Sequence, residues 1–132
     1  MTQPHGNTLE EHPSPVGFDD TLERLSKAIL NAGLMVFATI DHAEGARQVG
    51  LSMPPTRVLF YGHPKGGTPV MLAAPEAAIE LPLRVLVREV PAGGTVVAFR
   101  PIAAALAPFG VTPDVASRLE PAQQLLVNAL RA

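Results

Sequence analysis

The stretch Leu83–Phe99 reads LRVLVREV-PAGG-TVVAF: two runs rich in β-branched and aliphatic residues, separated by Pro91, Ala92, Gly93 and Gly94. Strand formers on both sides of a short Pro/Gly turn predict a β-hairpin, and a hairpin requires a sheet around it. Working toward the N-terminus, RVLFYG over Arg57–Gly62 predicts another strand, entered in an extended conformation through Met53, Pro54 and Pro55. LMVFATID over Leu34–Asp41 is apolar on both alternating faces, which predicts a strand covered on each side and therefore central.

Helices are expected between and around these strands. Phe18, Leu22, Leu25 and Ile29 recur at intervals of three and four, behind the acidic pair Asp19 and Asp20 and before Gly33, a residue able to stop a helix in the left-handed conformation. His42–Gly50 has the composition of a short helix. Thr68 is a candidate cap for a helix running from Pro69 to just before Pro75. Past Pro101 the chain is alanine-rich and helical to about Pro108, and Gly110 ends that element. Thr112 and Pro113 open a last helical stretch with the apolar stripe Val115, Leu119, Ala122, Leu126 and Ala129, which Pro121 splits in two. The stripe suits either the sheet or a second copy of the chain. The order α-β-(α)-β-α-β-β-α predicts an α+β two-layer sandwich: a four-stranded mixed sheet with helices on one face. Met35, Met53 and Met71 stand at apolar positions and are expected to fill the core.

Size and composition agree with one such unit. The chain has 132 residues, 47% of them apolar and 17% charged, which is globular rather than disordered. Met1–Gly17 has only Leu9 and Val16 as aliphatic residues and is expected to be a flexible tail, with a single domain over 18–132. No cysteine is present, which removes disulfide scaffolds, zinc ribbons and cysteine nucleophiles, and a formal charge of -2 supplies no basic field for nucleic acid. The longest apolar run, Ala32–Ile40, falls well short of the about twenty residues of a membrane-spanning helix, and no export signal is visible, so a cytoplasmic protein is expected.

Several stretches, in their order and spacing, resemble the domain of unknown function 302 family. They are the helix start Phe18–Leu25 (F-x-x-T-x-x-R-L), IDHAEGAR over Ile40–Arg47, YGHPKGGTPVM over Tyr61–Met71, AAPEAAIELPLRVLV over Ala73–Val87, and the hydrophobic hairpin that follows. The resemblance spans about Pro15 to Arg131 and implies a small α+β fold found mostly in bacteria and archaea. It transfers no catalytic residues, since the family has no established activity. His63 stands where the family usually has asparagine. Phe99, Arg100 and Pro101 replace a tyrosine and polar pair, and Ala107, Pro108 and Phe109 replace a segment that is usually basic.

The strongest local signal for chemistry is Gly62–Thr68, GHPKGGT, a strand running through a glycine-rich turn toward a helix start. Backbone N–H groups there can converge on an anion, with Lys65 adding charge and Thr68 a hydroxyl. It is not a nucleotide P-loop, which needs lysine directly after its second glycine, and a tight structural turn is the plainer alternative. His42, just past the end of the first central strand, can act as general base or hydrogen-bond donor, or else cap the following turn. His42, Glu44 and His63 lack the close spacing of an established metal site, so no metal is expected, and the sequence identifies no cofactor. Ser52 has no nucleophile-elbow context.

The expected function is therefore a non-catalytic binding or sensory module for a small anionic molecule, acting as a homodimer. Its candidate ligand-binding set is His42, Arg47, Lys65, Gly66, Gly67 and Thr68. The alternatives are an enzyme using His42 as acid or base on a small metabolite, and a structural protein acting as a homo-oligomer. The first reading requires the His42 segment and the Lys65 turn to meet at one end of the sheet.

Overall fold

A computed structural model describes residues 8–131, and the strands it contains form one antiparallel five-stranded sheet. The strands are β1 (Glu10–Pro13), β2 (Met35–Asp41), β3 (Thr56–Gly62), β4 (Leu83–Glu89) and β5 (Thr95–Phe99), in the order β1-β5-β4-β3-β2. The helices are α1 (Phe18–Asn31), α2 (His42–Gln48), α3 (Pro64–Ala73), α4 (Ile102–Leu106), α5 (Pro113–Ala116) and α6 (Glu120–Arg131). The architecture is α+β, as expected, and the β4–β5 hairpin turns where Pro91–Gly94 indicated, with Gly93 at φ +95°.

Three expectations about the sheet are corrected. It has five strands rather than four, because Glu10–Pro13, in the stretch expected to be a flexible tail, pairs antiparallel with β5 from Glu10↔Phe99 to Pro13↔Val96. The pairing is made by backbone groups and so needs none of the aliphatic side chains whose scarcity suggested a tail. Ser14 continues it, its N–H donating to the Thr95 carbonyl at 2.8 Å and its hydroxyl bonding that of buried Thr21 at 2.6 Å. Residues 1–7 of the expected tail lie outside the described residues. The sheet is antiparallel throughout rather than mixed: β2 to β5 each return beside the strand next in sequence, and β1 runs antiparallel to β5.

β2 is the third correction, because it lies at an edge rather than in the centre. Its apolar run serves three surroundings instead of two buried faces. Val36 packs against the core; Phe37 sits at a bulge between Val36 and Ala38; Met35 and Ile40 stay 45% and 43% exposed. Alternation elsewhere is regular. Leu59, Tyr61, Val85, Val87, Val97 and Phe99 point into the core with Leu25 and Ile29 of α1 and Leu126 and Leu130 of α6. The C-terminal stripe thus joins the same core, with α6 packed on α1. On the opposite face Arg84 lies over the Phe60 ring at 5.3 Å. The methionines do not fill the core: Met35 and Met53 are 45% and 40% exposed, and Met71 lines a cavity.

Candidate functional site

That cavity, of about 1060 Å³, opens at the end of the sheet where β3 leaves for α3. Gly62 closes β3 at φ +144°, a conformation that disfavours any side chain, and so turns the chain from strand into helix. α3 begins earlier than the sequence suggests, at Pro64 rather than Pro69, and its cap is His63 rather than Thr68. The His63 imidazole accepts from the Lys65 N–H at 3.1 Å, and Pro64 in the first position has no N–H to lose. Pro69 is tolerated inside α3 at the loss of one helical hydrogen bond.

The cap changes what GHPKGGT can do. The Lys65 amide is taken by His63 Nδ1, and the Gly66 and Gly67 amides both donate to the His63 carbonyl, at 3.0 and 3.2 Å. These backbone donors are spent inside the helix start, so the expected cradle of N–H groups is not formed. Gly66 serves packing instead: a Cβ there would meet Leu119 Cδ2 at 3.0 Å. This contact seats the segment leading into α6 on the first turn of α3 and brings Lys65 and Arg118 into one wall.

The candidate residues divide between the two ends of the sheet. Lys65, Gly66, Gly67 and Thr68 line the cavity, whereas His42 and Arg47 do not. β2 and β3 are antiparallel, pairing Met35 with Gly62 and Asp41 with Arg57, so His42 begins α2 a full strand, about 20 Å, from the cavity end. Antiparallel pairing sends the exits of consecutive strands to opposite ends; the expected meeting of the His42 segment with the Lys65 turn needed both exits on the same side. At the far end Asp41 accepts from the Glu44 N–H at 2.9 Å and pairs with Arg57 at 2.8 Å. His42 is exposed there, and Arg47 pairs with Glu44. Among the described residues no group of three or more His, Asp or Glu is arranged to hold a metal ion.

The rest of the cavity wall is largely apolar, with Leu34 and Phe37 from the β2 side, Met71 from α3, Leu83 from β4 and Leu125 from α6. Tyr61, the only tyrosine of the chain, is fully buried at its base, and its hydroxyl donates to the Ala122 carbonyl at 2.8 Å. Burial pushes the phenol well above the ordinary tyrosine range. Lys65 and Arg118 are exposed at the rim, and neither belongs to an ion pair of the described residues. Among the described residues, no aspartate or glutamate lines the cavity. Arg118, Tyr61 and Phe37 were missed in the sequence. Tyr61 and Phe37 stood inside stretches read as strands, and Arg118 is a cation beside the stripe residue Leu119, but nothing local marked any of them as facing a cavity.

Residues 10–132 match the model of the family described as Domain of unknown function DUF302. A crystal structure of an uncharacterized conserved DUF302 protein from Bacillus stearothermophilus shares the fold, with a TM-score of 0.80 and 18% identity over 93% of this chain and 95% of that one. Two curated relatives are named Fluoride-specific ion channel FluC 1. The protein from Brucella suis biovar 1 (strain 1330) is 36% identical over 70 residues, 53% of this chain and 28% of that protein. The protein from Brucella abortus biovar 1 (strain 9-941) is 36% identical over 70 residues, 53% of this chain and 26% of that protein. The chain therefore spans about a quarter of the length of the curated relatives it matches.

Proposed function

From the premise that the chain belongs to the DUF302 family, we propose that it is a binding module for a small anionic molecule, held in the cavity between α3 and the segment leading into α6. The observation that carries this reading is the charge of the wall. In a chain with 12 acidic and 10 basic residues, the described residues that line the cavity include Lys65 and Arg118 and no aspartate or glutamate. Two cations with no ion-pair partner among the described residues favour a negatively charged group between them. His42 and Arg47, a strand's length away, have no part in this site.

The name of the Brucella relatives raises fluoride as a ligand, and the cavity argues against it. Fluoride is a single, strongly hydrated atom, whereas a space of about 1060 Å³ is in the range of pockets that enclose organic molecules. Ion conduction belongs to those relatives as whole proteins. No described helix of this chain is long and apolar enough to cross a membrane.

Thermal-shift and calorimetric titration with short carboxylates, phosphate and nucleotides at low ionic strength tests the proposal. At least one of these anions is expected to stabilise the protein, and the Lys65→Ala, Arg118→Ala double variant to lose the effect. An unchanged shift in a folded double variant overturns the reading.

A further inference from the structure

We infer that the ligand is an amphiphile: an organic acid whose carboxylate or phosphate meets Lys65 and Arg118 while an aliphatic or aryl body lies in the slot between Phe37 and Leu125. This inference rests on the anion reading above and adds the chemical class of the ligand's body.

Three observations converge on it. First, the head of the ligand has few donors to meet. The Lys65, Gly66 and Gly67 amides are consumed by His63, and the Tyr61 hydroxyl by Ala122, which leaves side-chain cations at the rim as the charged contacts. A compact, many-oxygen anion such as free phosphate is held by converging backbone donors, and those of Lys65, Gly66 and Gly67 are already bonded within the helix start. Second, inward from the rim the wall is hydrocarbon: Leu34, Phe37, Met71, Leu83, Leu119 and Leu125. A ligand that is all charge would leave that surface wet. Third, Phe37 is 45% exposed and occupies a bulge in an edge strand, which aims an aromatic side chain at the cavity rather than into the core. Charge at the mouth and hydrocarbon behind it match a molecule with one charged end.

A homologous series of n-alkanoates from butanoate to dodecanoate, titrated calorimetrically into the full chain below their micelle concentrations, measures this. Each buried methylene is expected to tighten binding about three- to fourfold until the body fills the slot, after which affinity levels off. Phe37→Ser, at a half-exposed position, is expected to keep the fold and to flatten the series. Lys65→Glu with Arg118→Glu is expected to shift preference from alkanoates to alkylammonium ions of equal length. An affinity independent of chain length, with butanoate still bound through Lys65, overturns the amphiphile and leaves the anion reading intact. Neutral n-alkanols binding as tightly as the alkanoates overturn the anion reading and the inference with it. That wild-type comparison decides the matter even if the charge-reversed variant does not fold.

Discussion

The hydroxyl of Tyr61 donates to the carbonyl oxygen of Ala122 across 2.8 Å, tying the end of β3 to the first turn of α6 at the base of the cavity. Replacing Tyr61 by phenylalanine keeps the ring and removes one buried hydrogen bond, so Tyr61→Phe is expected to cost about 1 kcal/mol in denaturant unfolding. An unchanged midpoint would mean that the bond contributes nothing.

The same burial predicts an alkaline limit. Tyrosine ordinarily titrates at 10.0, and the folded state raises Tyr61 above that value, so the folded protein holds a proton that the unfolded chain releases. The stabilisation is complete below pH 10 and is lost as pH rises toward the folded value. With one tyrosine and no tryptophan in the chain, tyrosinate absorbance near 295 nm reports this residue alone. It is expected to appear together with loss of near-ultraviolet circular dichroism, not before it, and Tyr61→Phe is expected to remove the tyrosine-linked fall in stability above pH 10.

Gln123 is buried in α6 and bridges two backbone groups at the β5–α4 corner, accepting from Ile102 N–H at 3.0 Å and donating to the Arg100 carbonyl at 2.9 Å. Gln123→Ala strands both, an expected loss of about 2–3 kcal/mol by chemical denaturation. Gln123→Glu retains the acceptor but loses the donor and buries a charge, and it is expected to be at least as damaging at neutral pH.

The two glycines of α3 are expected to respond differently to alanine. At Gly67 a new Cβ finds its nearest neighbours at 3.8 Å, so Gly67→Ala is expected to stabilise by up to about 1 kcal/mol through helix propensity. At Gly66 it meets Leu119 at 3.0 Å, and Gly66→Val is expected to destabilise by about 1–3 kcal/mol through overpacking. Equal melting temperatures for the Gly66→Ala and Gly67→Ala variants would contradict the close contact with Leu119.

His42→Ala and Arg47→Ala are expected to leave the affinity of any ligand that depends on Lys65 unchanged within about twofold, since additivity holds for distant, independent sites. Calorimetry on the same ligand decides it, and a tenfold loss in either variant would place the binding site at the wrong end of the sheet.

Deleting residues 1–13 removes β1 and uncovers the outer edge of β5. A loss of about 2–4 kcal/mol is expected, with greater aggregation on heating, because net backbone hydrogen bonds are lost and an unpaired edge is exposed. Light scattering during a thermal ramp checks both.

Much of this protein was legible in the sequence because local chemistry decides it. The period of Phe18, Leu22, Leu25 and Ile29 built α1, the Pro91–Gly94 turn built the hairpin, and Gly62–Thr68 marked a real junction between strand and helix. What the sequence could not carry was set by partners far along the chain. EEHP is a strand only because β5 has an open edge beside it, and LMVFATID lies at an edge because antiparallel pairing put β3 on one side of it and no described strand on the other. GHPKGGT resembles an anion turn in isolation, yet its amides are satisfied by His63 and its glycine by the close approach of Leu119, more than fifty residues away in the sequence. The cavity itself exists only where β3, α3 and α6 meet. A pocket is a property of surfaces brought together, and a sequence lists surfaces without saying which will face each other.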